Sequence, residues 1–171
     1  TEQPTSEEEP TEAPMPEWVD YVSQTKLNLN DETKIWAEVK VSTYVDGDTT
    51  HFIPKGTPSV WVNDEDNILK ARYNSCDTPE STGKVQEYGK PASNFTKAML
   101  QEADKKGTIV VSSAQTGYGA PDPDSTGERY VSLVWIHLTK KNAPISELQC
   151  LNLMIVQEGL SWVKNVQDMP Q

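Results

Sequence analysis

From Ile35 to Val45 apolar and polar side chains alternate, with Ile35, Ala37, Val39, Val41 and Val45 set against Trp36, Glu38, Lys40, Ser42 and Tyr44. A period of two commits a segment to a β-strand with one buried face, because successive side chains point to opposite sides of a pleated chain. Asp46-Gly47 follows at once and is a strong hairpin signal. Thr49 to Ile53 therefore reads as the return strand, and Ile68 to Asn74 as a third. Between them, Lys55 to Asn67 is a polar insertion with a short apolar piece, Val60-Trp61-Val62.

The second half alternates helix and strand. Pro91 to Ala103 sets Ala92, Phe95, Met99 and Ala103 on one helical stripe, with Pro91 acceptable in a first turn. Thr108 to Ser112 and Arg129 to Leu138 read as strands separated by a Gly/Pro/Asp loop. Ser146 to Glu158 reads as a second helix, N-capped by Ser146 and stopped by Gly159. Three strands, helix, two strands, helix is an α+β order that is mainly β. It predicts a small bent sheet closed into a five-stranded barrel of the oligonucleotide-binding (OB-fold) type, with two or three helices.

The net charge of −11 is unevenly distributed. Glu2, Glu7, Glu8, Glu9, Glu12, Glu17 and Asp20 contribute −7 with no Lys or Arg among residues 1–20, leaving −4 for the rest. Such a chain cannot coat nucleic acid through bulk charge, which needs many Lys and Arg contacts with phosphate. Residues 1–16 contain only Thr, Glu, Pro, Ser, Ala, Gln and Met. That composition predicts a disordered acidic linker. Residues 17–34 then form an extension packed on the domain, and 35–171 the domain itself. No apolar run of membrane-spanning length and no signal peptide is visible. An acidic Thr/Pro/Glu tether of this kind suits a secreted or surface-tethered protein whose leader is not part of this sequence. Cys76 and Cys150 lack zinc spacing, and either bridge or stay reduced.

Chemistry concentrates in two turns. Arg72-Tyr73-Asn74-Ser75-Cys76-Asp77-Thr78-Pro79-Glu80 leads an arginine into two carboxylates, and Asp46-Gly47-Asp48-Thr49 brings more acid. Oxygen donors without neighbouring His or Cys favour Ca²⁺ or Mg²⁺ over zinc. Arginine forks grip phosphate bidentately. Singly each acid is an ordinary surface group, and Arg129 an ordinary partner for Asp122, Asp124 or Glu128. His51 and His137 have no neighbours suggesting a triad. Trp36, Trp61, Trp135 and Trp162 read as core or barrel-surface aromatics.

As a set, these motifs resemble the staphylococcal nuclease (thermonuclease-like) family. The resemblance rests on Val45-Asp46-Gly47-Asp48-Thr49, on Arg72 through Asp77-Thr78-Pro79-Glu80, on Tyr88-Gly89, and on Ala92 to Met99. It continues more loosely through Gly127-Glu128-Arg129, Leu151-Asn152 and Gln157-Glu158-Gly159-Leu160, and spans roughly 35–166. It implies a bacterial, monomeric, calcium-dependent nuclease acting on DNA or RNA. Asp48, Asp77 and the Thr78 carbonyl would then hold Ca²⁺, Glu80 would serve as general base, and Arg72 and Arg129 would hold the phosphate.

The match has departures. The family's Asp-x-Tyr-Gly-Arg run becomes Asp124-Ser125-Thr126-Gly127-Glu128-Arg129, one residue longer, with Glu128 a competitor for Arg129. Asn165 and Gln167 stand where the family stacks tyrosines on a nucleotide. The sequence ends at Gln171, before the family's third helix, so residues 17–30 replace that helix or the chain is a fragment. The alternative function is a non-catalytic OB-type domain of an exported protein that binds nucleic acid or protein.

Overall fold

A computed structural model of the chain describes residues 20–27, 35–56, 67–113 and 122–163. The acidic linker, Val60-Trp61-Val62, Asn165 and Gln167 lie outside the described residues. In chain order the elements are α1 (Tyr21–Gln24), β1 (Trp36–Asp46), β2 (Thr49–Pro54), β3 (Leu69–Tyr73), β4 (Cys76–Asp77), α2 (Gly89–Lys106), β5 (Ile109–Ser113), β6 (Tyr130–Ile136), β7 (Gln149–Cys150), α3 (Leu151–Gln157) and β8 (Trp162–Val163).

The main sheet runs β3-β2-β1-β5-β6-β7, and β3 also pairs with β6. That extra pairing closes β1, β2, β3, β5 and β6 into a five-stranded barrel. Among the described residues the ladders are antiparallel except β3–β6, where Ala71 faces Tyr130 and Arg72 faces Val131 in parallel register. Closure needs a strongly bent strand, and β1 supplies it. Its register with β2 shifts between Val41 and Thr43 and again between Tyr44 and Asp46. Each bulge increases local twist and turns the strand around the core.

Alternation holds in β3 and in the first half of β1, where Ala37 and Val39 are buried, and lapses from the first bulge on, where Val41, Tyr44 and Val45 are all half-buried. Leu69, Ala71 and Tyr73 are buried, while Lys70 and Arg72 between them are less so. The interior gathers Val39, Phe52, Leu69, Ala71, Tyr73, Leu100, Val111, Val134, Ile136, Leu151 and Ile155. Helix α2 lies over β1 and α3. It buries Ala92, Thr96, Leu100 and Ala103, and Phe95 and Met99 pack at the margin of the core. Gly107 ends it in the left-handed conformation (φ 92°), its N–H reaching the Ala103 and Asp104 carbonyls. Val22 of α1 enters the core, and α1 rests on α3 and β7.

The second helix departs from expectation. Ser146 caps nothing; Ile145–Glu147 is a single 3-10 turn. Gln149 and Cys150 pair with Ile136 and Trp135, and the helix starts only at Leu151. Leu148 and Cys150 are buried with Val110, Trp135 and Ala143, so apolar burial under the sheet edge outweighs the capping signal of Ser146. Asn152, buried at the start of α3, ties three elements together. Its Nδ2 donates to the Asn74 carbonyl (3.0 Å) and the Ser132 carbonyl (3.1 Å), and its Oδ1 accepts from Val134 N (3.0 Å). No disulfide joins Cys76 and Cys150, both buried. Burial and then the neighbouring Cys150 push the Cys76 thiol up to about 12, so it is an inert thiol.

Candidate active site

Register builds the site. Thr49 on β2 faces Arg72 on β3, so the Asp46–Thr49 turn lies beside the arginine. Four residues on, the chain turns back through β4 and returns Asp77 to the same place. Arg72 Nη1 contacts Asp48 Oδ2 at 2.7 Å and Nη2 contacts Asp77 Oδ1 at 3.2 Å. Nη1 also donates to the Cys76 carbonyl at 2.7 Å. One guanidinium thus bridges two carboxylates while a main-chain carbonyl holds it in the turn. The side chains of Arg72, Asp48 and Asp77 are 22%, 10% and 24% exposed, so these ion pairs are partly shielded from water. Asp48 Oδ2 also accepts from Thr78 N (2.8 Å) and Oδ1 from Thr49 Oγ1 (3.1 Å).

Glu80 is exposed beside this cluster. Partial desolvation of its carboxyl, a hydrogen bond shared with Asp46, and the charges of Asp46 and Asp48 raise its pKa against the opposing pull of Arg72. Its backbone is fixed from both sides by Gln86, which accepts from Glu80 N through Oε1 (3.0 Å) and donates its own N–H to the Glu80 carbonyl (2.8 Å). Gly89 closes the same loop. A Cβ there would collide with the Glu80 carbonyl and lie 3.0 Å from Ser81 N. Asp46 anchors the opposite side by accepting from Ser81 Oγ at 2.7 Å.

Arg129 immediately precedes β6. Arg72 faces Val131 in parallel register, so Arg129 lies two positions along the chain from the residue opposite Arg72. Its partner is Asp124 rather than Glu128, with Nε to Oδ2 at 2.6 Å. Asp124 also accepts from Thr126 N (3.1 Å) and Thr126 Oγ1 (2.6 Å), so it organises the loop that presents the arginine. Burial would raise the Asp124 pKa, but the hydrogen bonds from Thr126 and Arg129 and the guanidinium charge prevail and lower it.

Residues 70–171 match the family model described as staphylococcal nuclease homologue. The chain belongs to that family. The matched stretch contains Arg72, Asp77, Thr78, Glu80 and Arg129, while Asp48 precedes it and joins the site through the fold. None of the curated proteins matches the chain. The family is one of nucleases and their homologues, and the barrel with its three helices is that fold. No helix among the described residues is long and apolar enough to cross a membrane.

Among the described residues no group of three or more His, Cys, Asp or Glu side chains surrounds a common metal position. The acids that do meet, Asp48 and Asp77, offer only oxygen, and the Thr78 peptide is hydrogen-bonded to Asp48. On donor chemistry this set fits a hard divalent cation. Arg72 already neutralises the same two carboxylates, so a cation and the guanidinium compete for them.

Sequence reasoning placed Arg72, Asp48, Asp77, Thr78 and Glu80 together, and the structure brings them to one rim. The sequence assigns no role to Asp46, Gln86 or Gly89, which position Glu80, and offers Asp124 only as one of three candidate partners of Arg129. For Asp46 and Gly89 the signal lay in the quoted motifs themselves. For Gln86 there was none.

Proposed function

We propose that this domain is a calcium-dependent nuclease that hydrolyses phosphodiester bonds of DNA or RNA with little sequence preference. The observation that carries the proposal is the Arg72 bridge between Asp48 and Asp77, with Glu80 alongside and family membership behind it. A phosphodiester is anionic and repels an incoming hydroxide, so neutralising its non-bridging oxygens is the main catalytic task. The planar fork of Arg72 suits that task. A phosphate can replace one carboxylate on the guanidinium and accept the same paired N–H groups.

Arg129, at the start of the strand that pairs with β3, would hold the phosphate alongside Arg72. In its pair with Asp124 it is engaged through Nε. Glu80, exposed and held by Gln86 and Gly89, would take the proton from the attacking water. Its raised pKa makes it a stronger base than an ordinary carboxylate once ionised. Ca²⁺ held by Asp48, Asp77 and the Thr78 carbonyl would supply Lewis-acid charge and a template for the diester. The acidic linker suits an exported or surface-tethered enzyme.

The test is incubation of the full chain with labelled single-stranded DNA. Degradation with Ca²⁺ that stops on adding EDTA supports the proposal. DNA bound but left intact with Ca²⁺ supplied would favour the non-catalytic binding reading.

A further inference from the structure

A groove of about 600 Å³ is lined by Pro79, between Thr78 and Glu80 of the candidate site, and by Gln86, Glu87, Tyr88, Leu160 and Trp162, among others. Cavities of this size accept small ligands. Six large apolar side chains are exposed among the described residues: Tyr21, Trp36, Val85, Tyr88, Trp162 and Val163. Tyr88 and Trp162 line this groove, and Val85 and Val163 are their near neighbours in sequence. Tyr88 and Trp162 are the two most exposed of the six, at 64% and 63%. A soluble surface that leaves two aromatic rings uncovered at one place marks a binding surface.

Two backbone features tie these rings to the site. Trp162 on β8 faces Asp77 on β4 in antiparallel register. Directly opposed residues project to the same face, so the indole stands on the side of the ribbon that carries the Asp77 carboxylate. The Asp77 N–H donates to Ser161 Oγ at 2.8 Å, which locks that register. Tyr88 has a left-handed backbone (φ 64°), uncommon for a bulky residue. It directly precedes Gly89, whose contact with Glu80 fixes the loop.

We infer that this groove holds a nucleobase of single-stranded nucleic acid, stacked on Trp162 and Tyr88, while the adjoining phosphate reaches Arg72. The inference rests on the proposal that the neighbouring site handles nucleic-acid phosphates. The lining favours a base over a phosphate. Glu87 repels an anion, whereas Gln86 carries N–H donors and Glu87 acceptor oxygens suited to a base edge. Aromatic stacking accepts any base because every base presents a π-face. A duplex would first have to unstack the base, so single strands are the preferred occupant.

The test uses the full chain carrying Glu80→Gln, with Ca²⁺ present, so that bound strands persist. The probes are a twelve-nucleotide oligothymidylate and an abasic strand with the same number of phosphates. The parent binds the thymidylate more tightly and shows quenched tryptophan emission. Trp162→Ala and Tyr88→Ala each weaken thymidylate binding by about tenfold or more while affinity for the abasic strand is kept. Trp162→Phe restores most of the loss, and Trp162→Ala abolishes the quenching. Equal parental affinity for the two strands, or Trp162→Ala binding thymidylate as the parent does, overturns the inference. So does equal loss of both strands in the alanine variants. If wild type cleaves DNA but these variants bind normally, the inference alone fails. If wild type never cleaves but Trp162 governs base-dependent binding, the nuclease proposal alone fails.

Discussion

Arg72→Lys separates the two tasks given to this side chain. In the resting site the guanidinium makes close contacts to Asp48 (2.7 Å), the Cys76 carbonyl (2.7 Å) and Asp77 (3.2 Å). A lysine ammonium keeps the charge but cannot span both carboxylates in one plane. It reproduces one strong contact and loses the rest. Charge-assisted hydrogen bonds contribute roughly 1.5–3 kcal/mol each when well shielded. These groups are still up to about a quarter exposed, so the combined loss is set at about 2 kcal/mol. For a chain of this length that lowers Tm by about 4–8 °C, which calorimetry or circular dichroism reads directly. Cleavage suffers more. Removing a preorganised donor to the transition state costs on the order of 100- to 1,000-fold in kcat. The variant therefore remains folded at 25 °C and loses nearly all activity, with kcat falling and KM rising because the same fork also holds the bound phosphate. Wild-type stability together with activity within about threefold of wild type would refute the double role.

Two further outcomes follow from the same geometry. Gly89→Ala forces the Glu80 backbone away from its present place; we expect a stability loss of about 1–3 kcal/mol and a kcat about 100-fold lower, since displacement of about 1 Å suffices for that. An unchanged kcat in a folded Gly89→Ala protein would show that the Glu80 position is not critical. Asp46→Asn removes a negative neighbour that raises the Glu80 pKa. A general base must be ionised, so the rate falls as pH drops through that pKa. The acidic limb of the pH–rate profile should lie above the ordinary glutamate value of 4.5 in wild type and move to lower pH in Asp46→Asn. A limb that stays in place would assign it to another group.

The parts of the fold legible in the sequence are those that local patterning dictates. The alternation of Ile35 to Val45, the Asp46-Gly47 turn and the stripe from Ala92 to Ala103 specify β1, β2 and α2 without any tertiary information. β4, β7 and β8 are two residues each and have no period to read. Cys76 and Asp77 are a strand only because Val163 and Trp162 lie opposite. The same reason misled the reading of Ser146, where burial of Leu148 and Cys150 decided the local structure. In the site, Arg72, Asp48, Asp77 and Glu80 were found because their chemistry is concentrated in two turns. The partner of Arg129 was not settled, since Asp122, Asp124 and Glu128 are equivalent on paper and only the loop hydrogen bonds select Asp124. Trp162 read as a core or barrel-surface aromatic, and its exposure beside Asp77 follows from the β4–β8 pairing, which the sequence does not display.

The central claim is that Glu80, held beside the Arg72-bridged acids, performs the proton transfer of phosphodiester hydrolysis. Folding binds Glu80 with a raised pKa, so the stability it offers is present at low pH and lost as pH rises through that value. Glu80→Gln should thus match or exceed the wild-type Tm at neutral pH and remain a fair control. The direct measurement is the initial rate of single-stranded DNA cleavage by wild type and Glu80→Gln at equal concentration with Ca²⁺. A fall of about 100-fold or more is expected for the variant; equal rates for the two proteins would rule out Glu80 as the general base.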